Sequence, residues 1–128
     1  MSAIFSPCGN YRYALERDLR DLFKYGRKAS AQTVLFVMLN PSTADAEKDD
    51  ATIRRLVSFV TAWGYGRLLV GNLFALRATN PAELAKAADP VGPENDSHLR
   101  ELRRRASHTV CAWGCHPMTP GRAVWFRA

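Results

Sequence analysis

The sequence has few cysteines and no long apolar run. Three of its 128 residues are cysteines, Cys8, Cys111 and Cys115, and this odd, widely spaced set argues against a disulfide framework and suits a reducing compartment. No apolar stretch approaches the roughly 20 residues that span a bilayer. The N-terminus lacks a charged region followed by a long apolar segment, as a secretory signal would require. We therefore expect a cytoplasmic protein without a membrane partner.

Several motifs that define common enzyme classes are also missing. There is no Gly-x-Gly-x-x-Gly fingerprint, no Walker-type GKS or GKT, and no Gly-x-Ser-x-Gly elbow that would make Ser42 a nucleophile. The segment "CAWGCH" places Cys115 beside His116 but lacks the second pair of ligands that a zinc site needs. The sequence therefore predicts neither a bound metal nor a cofactor.

The composition is that of a globular protein with a basic balance. Hydrophobic residues make up 47% and charged residues 23%, which fits a single domain over residues 1–128. The formal net charge is +6, which permits a polyanionic partner such as a nucleic acid. The charge is uneven, with an acidic block over residues 45–50 and a basic block over residues 100–105.

Hydrophobic periodicity predicts strands that alternate with helices. "TVLFVML" is apolar on both faces, which is typical of a central strand in a parallel sheet covered by helices. The pattern indicates an α/β fold, a three-layer sandwich with a small, mainly parallel sheet flanked by helices. The expected elements are a short strand ending near Arg17 with a turn or short helix after it, a loop over residues 25–32, strands at about 33–39, 67–73 and 109–113 (the last one buried), and helices at about 51–63, 81–87 and 95–106.

Polar residues follow the buried strands at the edge where such sheets bind ligands. Asn40, Asn72 and Gly114 each stand at the end of a predicted strand. Local turn chemistry explains Asn40 before Pro41 equally well. Asn72 lies inside the apolar run "GNLF", where its amide needs a buried partner, so we favour a functional role for it.

The loop after Asn40 carries more acids than a helix N-terminus needs. Asp49 or Asp50 is expected to cap the helix that follows. Thr43, Asp45 and Glu47 remain unexplained. The surplus carboxylates, together with Ser42 and Thr43, fit a divalent cation, whereas free N–H groups at the terminus fit an anion. Arg77, just past the second buried strand, suits phosphate or carboxylate binding or is a solvated loop residue.

The arginines of residues 100–105 fall on the outside of a predicted helix. A solvated face is the default interpretation of such a block. The alternative is a surface that contacts nucleic-acid phosphates through Arg100, Arg103 and Arg104. The residues Asn95 and Asp96 at the start of this helix are expected to cap it.

Several blocks resemble one protein family. They are "CGNYRYALER", "VLFVMLNPSTADAEKDDATIRR", "GYGRLLVGNLFALRATNPAEL", "PVGPEND" and "VCAWG", and together they resemble the bacterial and phage family known as domain of unknown function 1643. The resemblance covers about residues 8–114. Residues 115–128 depart from it, which suggests a truncated or divergent C-terminus with Val124, Trp125 and Phe126 in a foreign apolar tail. An uncovered sheet edge there makes an edge-mediated dimer possible.

A more remote resemblance is to the uracil-DNA glycosylase superfamily. There, a strand ends in an "NPG"-like motif that positions the attacking water, and Asn40-Pro41-Ser42 is similar to it. Trp113-Gly114 is similar to a later strand end of that superfamily. The resemblance implies a glycosylase-like site at the carboxyl ends of the strands.

Three hypotheses about function follow. The first is an enzyme, a hydrolase that acts on a nucleobase, a nucleotide or DNA. Its catalytic residues would be Asn40, Asp45 and Asp49, and its substrate-binding residues Pro41, Ser42, Thr43, Asn72, Arg77 and Gly114. The second is a nucleotide- or nucleic-acid-binding module without turnover. The third is an inactive fragment.

Overall fold

The computed structural model describes residues 2–20 and 32–127. Most of the loop expected at 25–32, and most of the turn or short helix expected before it, lie outside these ranges. The described elements are β1 (Ser2–Phe5), β2 (Arg12–Asp18), β3 (Thr33–Met38), α1 (Ala51–Ala62), β4 (Arg67–Asn72), a 3-10 helix (Pro81–Lys86), α2 (Asn95–Arg105), β5 (His108–Cys111) and α3 (Thr119–Arg127).

The five strands form one mixed sheet in the order β1-β2-β4-β3-β5. Strand β3 pairs in parallel with both β4 and β5, whereas β2 is antiparallel to β1 and to β4. The prediction of an α/β fold is confirmed, but the prediction of a mainly parallel sheet is wrong. The pairing of β1 with β2 is antiparallel because a short turn joins them, whereas β2 and β4 are antiparallel through contacts between distant parts of the chain.

The cap, the apolar stripe and the final glycine that predicted α1 have these roles in the structure. Asp50 is its N-cap, and its carboxylate accepts a hydrogen bond from the N–H of Ile53 at 2.9 Å. Ile53, Leu56 and Val60 form its buried stripe. Gly64 follows the helix with φ +89°, a conformation in which glycine has no Cβ penalty.

Two clusters of buried side chains hold the sheet and the helices together. Alternate residues of one strand join different clusters, because successive side chains of a strand point to opposite faces. Phe36 packs in the cluster that contains the buried stripe of α1, whereas Leu35 packs in the cluster that contains Leu99 of α2 and Phe126 of α3.

Two features of the C-terminal part differ from the sequence expectations. Strand β5 was expected to be buried, but it is an edge strand in which only Val110 is partly buried. Residues 115–128 were expected to depart from the family pattern, with Val124, Trp125 and Phe126 in a foreign apolar tail. Residues 119–127 instead form α3, in which Ala123 and Phe126 are core residues. The C-terminal segment therefore belongs to the packed fold.

A bulge in β2 changes the face to which its first residue points. Ile4 pairs with Ala14, but the next residue of β1, Phe5, pairs with Arg12, so Tyr13 is an extra residue on β2. The extra residue puts Arg12 on the same face as Leu15, toward α1. Tyr13 instead stacks on His98 of α2, with 4.9 Å between ring centroids.

Within residues 2–20 and 32–127, no helix has the length and apolar character to cross a membrane. The cytoplasmic location stays a prediction. So does an edge-mediated dimer, for which β1 and β5 are the two edge strands.

Candidate functional site

A small cavity lies where β3 and β4 end and α1 begins. Its volume is about 50 Å³, which is room for a few waters or for one end of a ligand. Because β3 and β4 are parallel, their carboxyl ends meet at this edge. The residues that line the cavity are Arg12, Met38, Asn40, Pro41, Ser42, Asp50, Thr52, Ile53, Val70 and Asn72.

Arg12 is the buried cation of this cavity, and sequence reasoning missed it. Since β2 is antiparallel to β4, the start of β2 lies beside the end of β4, and the N–H of Arg12 donates to the carbonyl of Ala75 at 2.9 Å. The bulge then turns the side chain of Arg12 toward α1. A mainly parallel sheet, as predicted from the sequence, does not place the start of β2 beside the end of β4, so the position of Arg12 could not be predicted.

The guanidinium of Arg12 has few partners. It is 2% exposed; its Nη1 donates to the carbonyl of Ala44 at 3.1 Å and its Nη2 to Oδ1 of Asn72 at 3.5 Å. Its Nε is buried and has no hydrogen-bond partner among the described residues. Burial lowers the pKa of Arg12 below its ordinary value, to about 10, and the charge of Asp50 opposes this shift. The group is therefore a cation at neutral pH.

Asn72 fulfils the expectation of a buried amide with partners. Its Oδ1 accepts from Arg12, and its backbone carbonyl accepts from Nδ2 of Asn95 at 2.9 Å. Asn95 and Asp96 were expected to cap α2, but Asn95 ties the start of the helix to the end of β4, and Asp96 pairs with Arg122 at 2.7 Å. The end of β4 is therefore held from the side of α2 and α3 while Asn72 faces the cavity.

Asn40, Pro41 and Ser42 reach the cavity as predicted for a site at the strand ends. Nδ2 of Asn40 donates to the carbonyl of Ala78 at 2.8 Å and to that of Pro41 at 3.1 Å. These two bonds fix the orientation of the amide. Its Oδ1 has no partner in the part of the chain that the structure describes, so this oxygen can accept from a ligand or a water.

Asp50 and Thr52 bring the N-terminus of α1 to the same place. Oδ1 of Asp50 accepts from Ile53, and Oδ2 accepts from the N–H of Ala44 at 3.3 Å. The carboxylate that lines the cavity is thus Asp50, the helix cap, and not one of the two acids predicted as catalytic.

Those two acids, Asp45 and Asp49, do not line the cavity. Oδ1 of Asp45 accepts from the N–H groups of Glu47 and Lys48 at 2.9 and 2.7 Å, which closes a local turn and lowers the pKa of Asp45. Asp49 pairs with Nε of the buried Arg17 at 2.9 Å. Both acids have structural contacts, and these contacts do not support their predicted catalytic roles.

Arg17 explains how this loop is held and why it carries Asp49. Its guanidinium donates to one carboxylate and four carbonyl oxygens, at 2.6 to 3.3 Å. Four of these acceptors belong to residues 45–49, so the loop wraps around the cation. No local sequence pattern joins Arg17 to a loop about 30 residues away, which is why the acids had no structural explanation in the sequence.

Three predicted substrate-binding residues lie outside the cavity. Arg77 donates weakly to the carbonyl oxygens of Ser42 and Gly9, at 3.4 and 3.3 Å, and sits 4.8 Å from the ring centre of Phe5. Thr43 is exposed, and Gly114 forms an exposed turn with φ +73°. Asn40, Asn72 and Arg77 were all predicted to lie at this edge of the sheet. Asn40 and Asn72 line the cavity, whereas Arg77 contacts the backbone of two neighbouring segments.

The arginines of α2 divide between packing and a surface groove. Arg104 pairs with Glu101, and Nη1 of Arg103 donates to the carbonyl of Phe126 at 2.6 Å. Arg100 has no hydrogen bond or ion pair to the described residues and lies 5.5 Å from the ring centre of Trp125. A groove of about 320 Å³ between α2 and α3 is lined by Leu99, Arg100, Arg103, Trp125 and Phe126.

The described residues contain no group of three or more histidine, cysteine, aspartate or glutamate side chains that could hold a metal ion. Cys8, Cys111 and Cys115 are free and exposed.

Comparison with known proteins gives a family for this chain. A family model described as a protein of unknown function, DUF1643, matches residues 12–127. The chain belongs to this family. The match includes both β2, which carries Arg12, and the C-terminal segment that the sequence analysis set apart. No curated protein and no solved structure matches the chain, and the resemblance to glycosylases therefore stays a prediction.

Proposed function

We propose that this DUF1643 protein is an enzyme that acts on a nucleotide or a nucleobase at the strand-end cavity. The observation that carries the proposal is the convergence of Arg12, Asn40, Asp50 and Asn72 on one cavity at the carboxyl ends of β3 and β4. Ligands of open α/β sheets bind at such edges. Amides are suited to the donor and acceptor edge of a base, and a guanidinium is suited to an anionic oxygen.

The proposed reaction is hydrolysis of an N-glycosidic bond. A water held by Oδ1 of Asn40 attacks the sugar carbon; its hydroxide joins the sugar, and its proton goes to the departing base. Negative charge develops on the base as the bond breaks, and the buried guanidinium of Arg12 stabilises that charge. The cavity admits the water and the reacting end of the ligand, while the rest of the ligand lies outside it.

This arrangement differs from the one expected from sequence. Asp45 and Asp49 were expected to be catalytic residues, and neither of them lines the cavity. The cation Arg12 favours instead a reaction in which the departing group becomes negative, and Asp50 is the one carboxylate among the residues that line the cavity.

Release of free base tests the proposal. The full chain is incubated with nucleosides, nucleotides and uracil-containing DNA, and free base is measured by chromatography. We expect release that Asn40→Ala and Asn72→Ala each lower by at least about 100-fold, as losing a positioning group does. The exposed Asn10→Ala is the matched control and leaves the rate unchanged. Base release that survives both cavity variants, or its absence with every substrate, would overturn the enzymatic proposal.

A second candidate function is binding of single-stranded nucleic acid at the groove between α2 and α3. The guanidinium of Arg100 favours it: it lies over Trp125 and has no hydrogen bond or ion pair to the described residues, and bases stack on aromatic rings while phosphates pair with arginine. Salt-sensitive DNA binding that is lost in Arg100→Gln and kept in Asn40→Ala supports this function. Arg104 is paired with Glu101, so Arg104→Gln is the control variant.

Both functions use the same arrangement of layers. We propose the three-layer sandwich expected from sequence. Helices α1 and α2 belong to different core clusters, and alternate residues of the strands are divided between these two clusters.

A further inference from the structure

Two buried arginines of β2 differ in how many hydrogen-bond acceptors surround their guanidinium groups. Arg12 and Arg17 are both 2% exposed. Arg17 has five acceptors, whereas Arg12 has two, one of them at the 3.5 Å limit, and its Nε has none within the described ranges. A buried guanidinium N–H without an acceptor is costly, and such a group in a native protein calls for a ligand or a water.

The positive charge of Arg12 is not neutralised by direct contact. Among the described residues, no carboxylate lies within 4.0 Å of its guanidinium. The nearest acid that lines the cavity is Asp50, whose oxygens accept from Ile53 and Ala44. The cavity therefore combines an unpaired cation with a carboxylate that already serves the backbone.

The start of α1 adds donors at the same place. The N–H of Ile53 goes to Asp50, and that of Arg54 goes to the carbonyl of Asp50 at 3.0 Å. The N–H groups of Ala51 and Thr52 precede the first helical hydrogen bond and have no bond to a described residue. Free N–H groups at a helix N-terminus attract anions.

We propose that the cavity is a subsite for a phosphate group that keeps one O–H, bound by Arg12 and the N-terminus of α1. One oxygen accepts from Nε of Arg12, and another accepts from Thr52. An O–H of the ligand donates to Asp50, which would repel a ligand without that proton. The volume of about 50 Å³ admits one such group.

The inference goes beyond the proposed function: a phosphate bound to Arg12 takes the place that the reaction gives to the departing base, so the two uses of the cavity are alternatives, and the measurements below separate them. A free phosphate and the phosphate of a nucleotide present the same oxygens to a guanidinium. The measurements therefore use both sources.

Inorganic phosphate is the first probe, with sulfate as its matched partner. Sulfate has a similar shape but carries no proton. Inorganic phosphate keeps at least one O–H at neutral pH, and the phosphate of a nucleotide is partly protonated near pH 6. We expect phosphate to raise the midpoint of thermal unfolding of the full chain in the millimolar range, and sulfate to do so at least about tenfold more weakly. A nucleoside monophosphate, compared with inorganic phosphate, identifies which source of the phosphate is preferred.

Three variants assign the effect. Arg12→Gln removes the cation and should abolish the difference between phosphate and buffer, and Arg12→Lys keeps the charge without the fork and should weaken binding about tenfold. Asp50→Asn retains a capping oxygen; it should make phosphate and sulfate bind alike. The control is Arg54→Gln, which removes an exposed charge at the same helix end and should leave phosphate binding unchanged.

The outcomes separate this inference from the proposed function. Phosphate binding that depends on Arg12 without release of base supports the subsite and refutes the enzyme. Base release without Arg12-dependent binding of any oxyanion supports the enzyme and refutes the subsite. Equal binding of phosphate and sulfate by the wild type, or no binding at tens of millimolar, also overturns the inference. If Arg12→Gln does not fold, the Arg12→Lys and Asp50→Asn variants decide.

Discussion

Replacing each buried arginine of β2 by methionine should have very different effects on stability. Methionine fills similar volume without charge, so the pair of variants compares the two sets of polar contacts. Arg17→Met removes a cation that five acceptors surround and leaves Asp49 and several loop carbonyls unpaired. Breaking a buried ion pair of this kind lowers the free energy of unfolding by about 3–5 kcal/mol.

Arg12→Met should be far milder. The variant loses one good hydrogen bond and one at the distance limit, worth about 1–3 kcal/mol together. It also removes a charge whose burial lowers the pKa to about 10, an unfavourable effect of a few kcal/mol at about 1.4 kcal/mol per pH unit. The two contributions nearly cancel. We therefore expect Arg12→Met to change the free energy of unfolding by less than about 1 kcal/mol in either direction.

Equilibrium unfolding in urea, followed by circular dichroism and tryptophan fluorescence, measures both values. Coincident transitions from the two probes establish that unfolding is two-state. An Arg12→Met variant destabilised as much as Arg17→Met would refute the reasoning, because Arg12 would then be a structural residue with satisfied contacts. A stable Arg12→Met variant that no longer binds phosphate would separate the two roles.

Three further predictions concern the packing and the acidic loop. Gly71→Ala places a Cβ 2.8 Å from Cδ2 of Leu99 and should destabilise the fold by about 1–3 kcal/mol in urea unfolding, whereas a neutral result would mean that α2 shifts freely. Phe126→Ala should cost about 3–5 kcal/mol and the 71% exposed Val124→Ala under about 0.5 kcal/mol, and similar losses would contradict the packing of α3. Asp45→Asn should weaken the fall in the free energy of unfolding that is measured as the pH is lowered from neutral to below 3.8. The pKa of Asp45 is lowered in the folded chain, so its stabilising contribution is present above pH 3.8 and is lost as the pH falls further. An unchanged pH dependence would contradict the role of Asp45 in the turn.

Much of the fold follows from local patterns. The apolar run at β3 and the spaced apolar residues of α1 predict elements within a residue or two of the observed bounds, since burial of a face repeats with the period of the element. Parallel strands that end in Asn40 and Asn72 also predict where the cavity lies. These signals need no knowledge of distant contacts.

The rest depends on contacts between distant parts of the chain. The direction of β2, and hence the position of Arg12, follows from pairing with β4, about 55 residues later. The bulge that turns Arg12 inward leaves no local trace in the sequence. The acids of residues 45–49 looked catalytic because Arg17, which holds their loop, is far away along the chain.

The most direct test of the site is a titration of the 15N-labelled chain, followed by two-dimensional NMR, with phosphate and then a nucleoside monophosphate. The account predicts that the shifted amides cluster at Asn40, Ser42, Ala51, Thr52 and Asn72, and that Arg12→Gln removes the shifts. Shifts confined to the groove around Arg100 and Trp125, or shifts unaffected by Arg12→Gln, would contradict it.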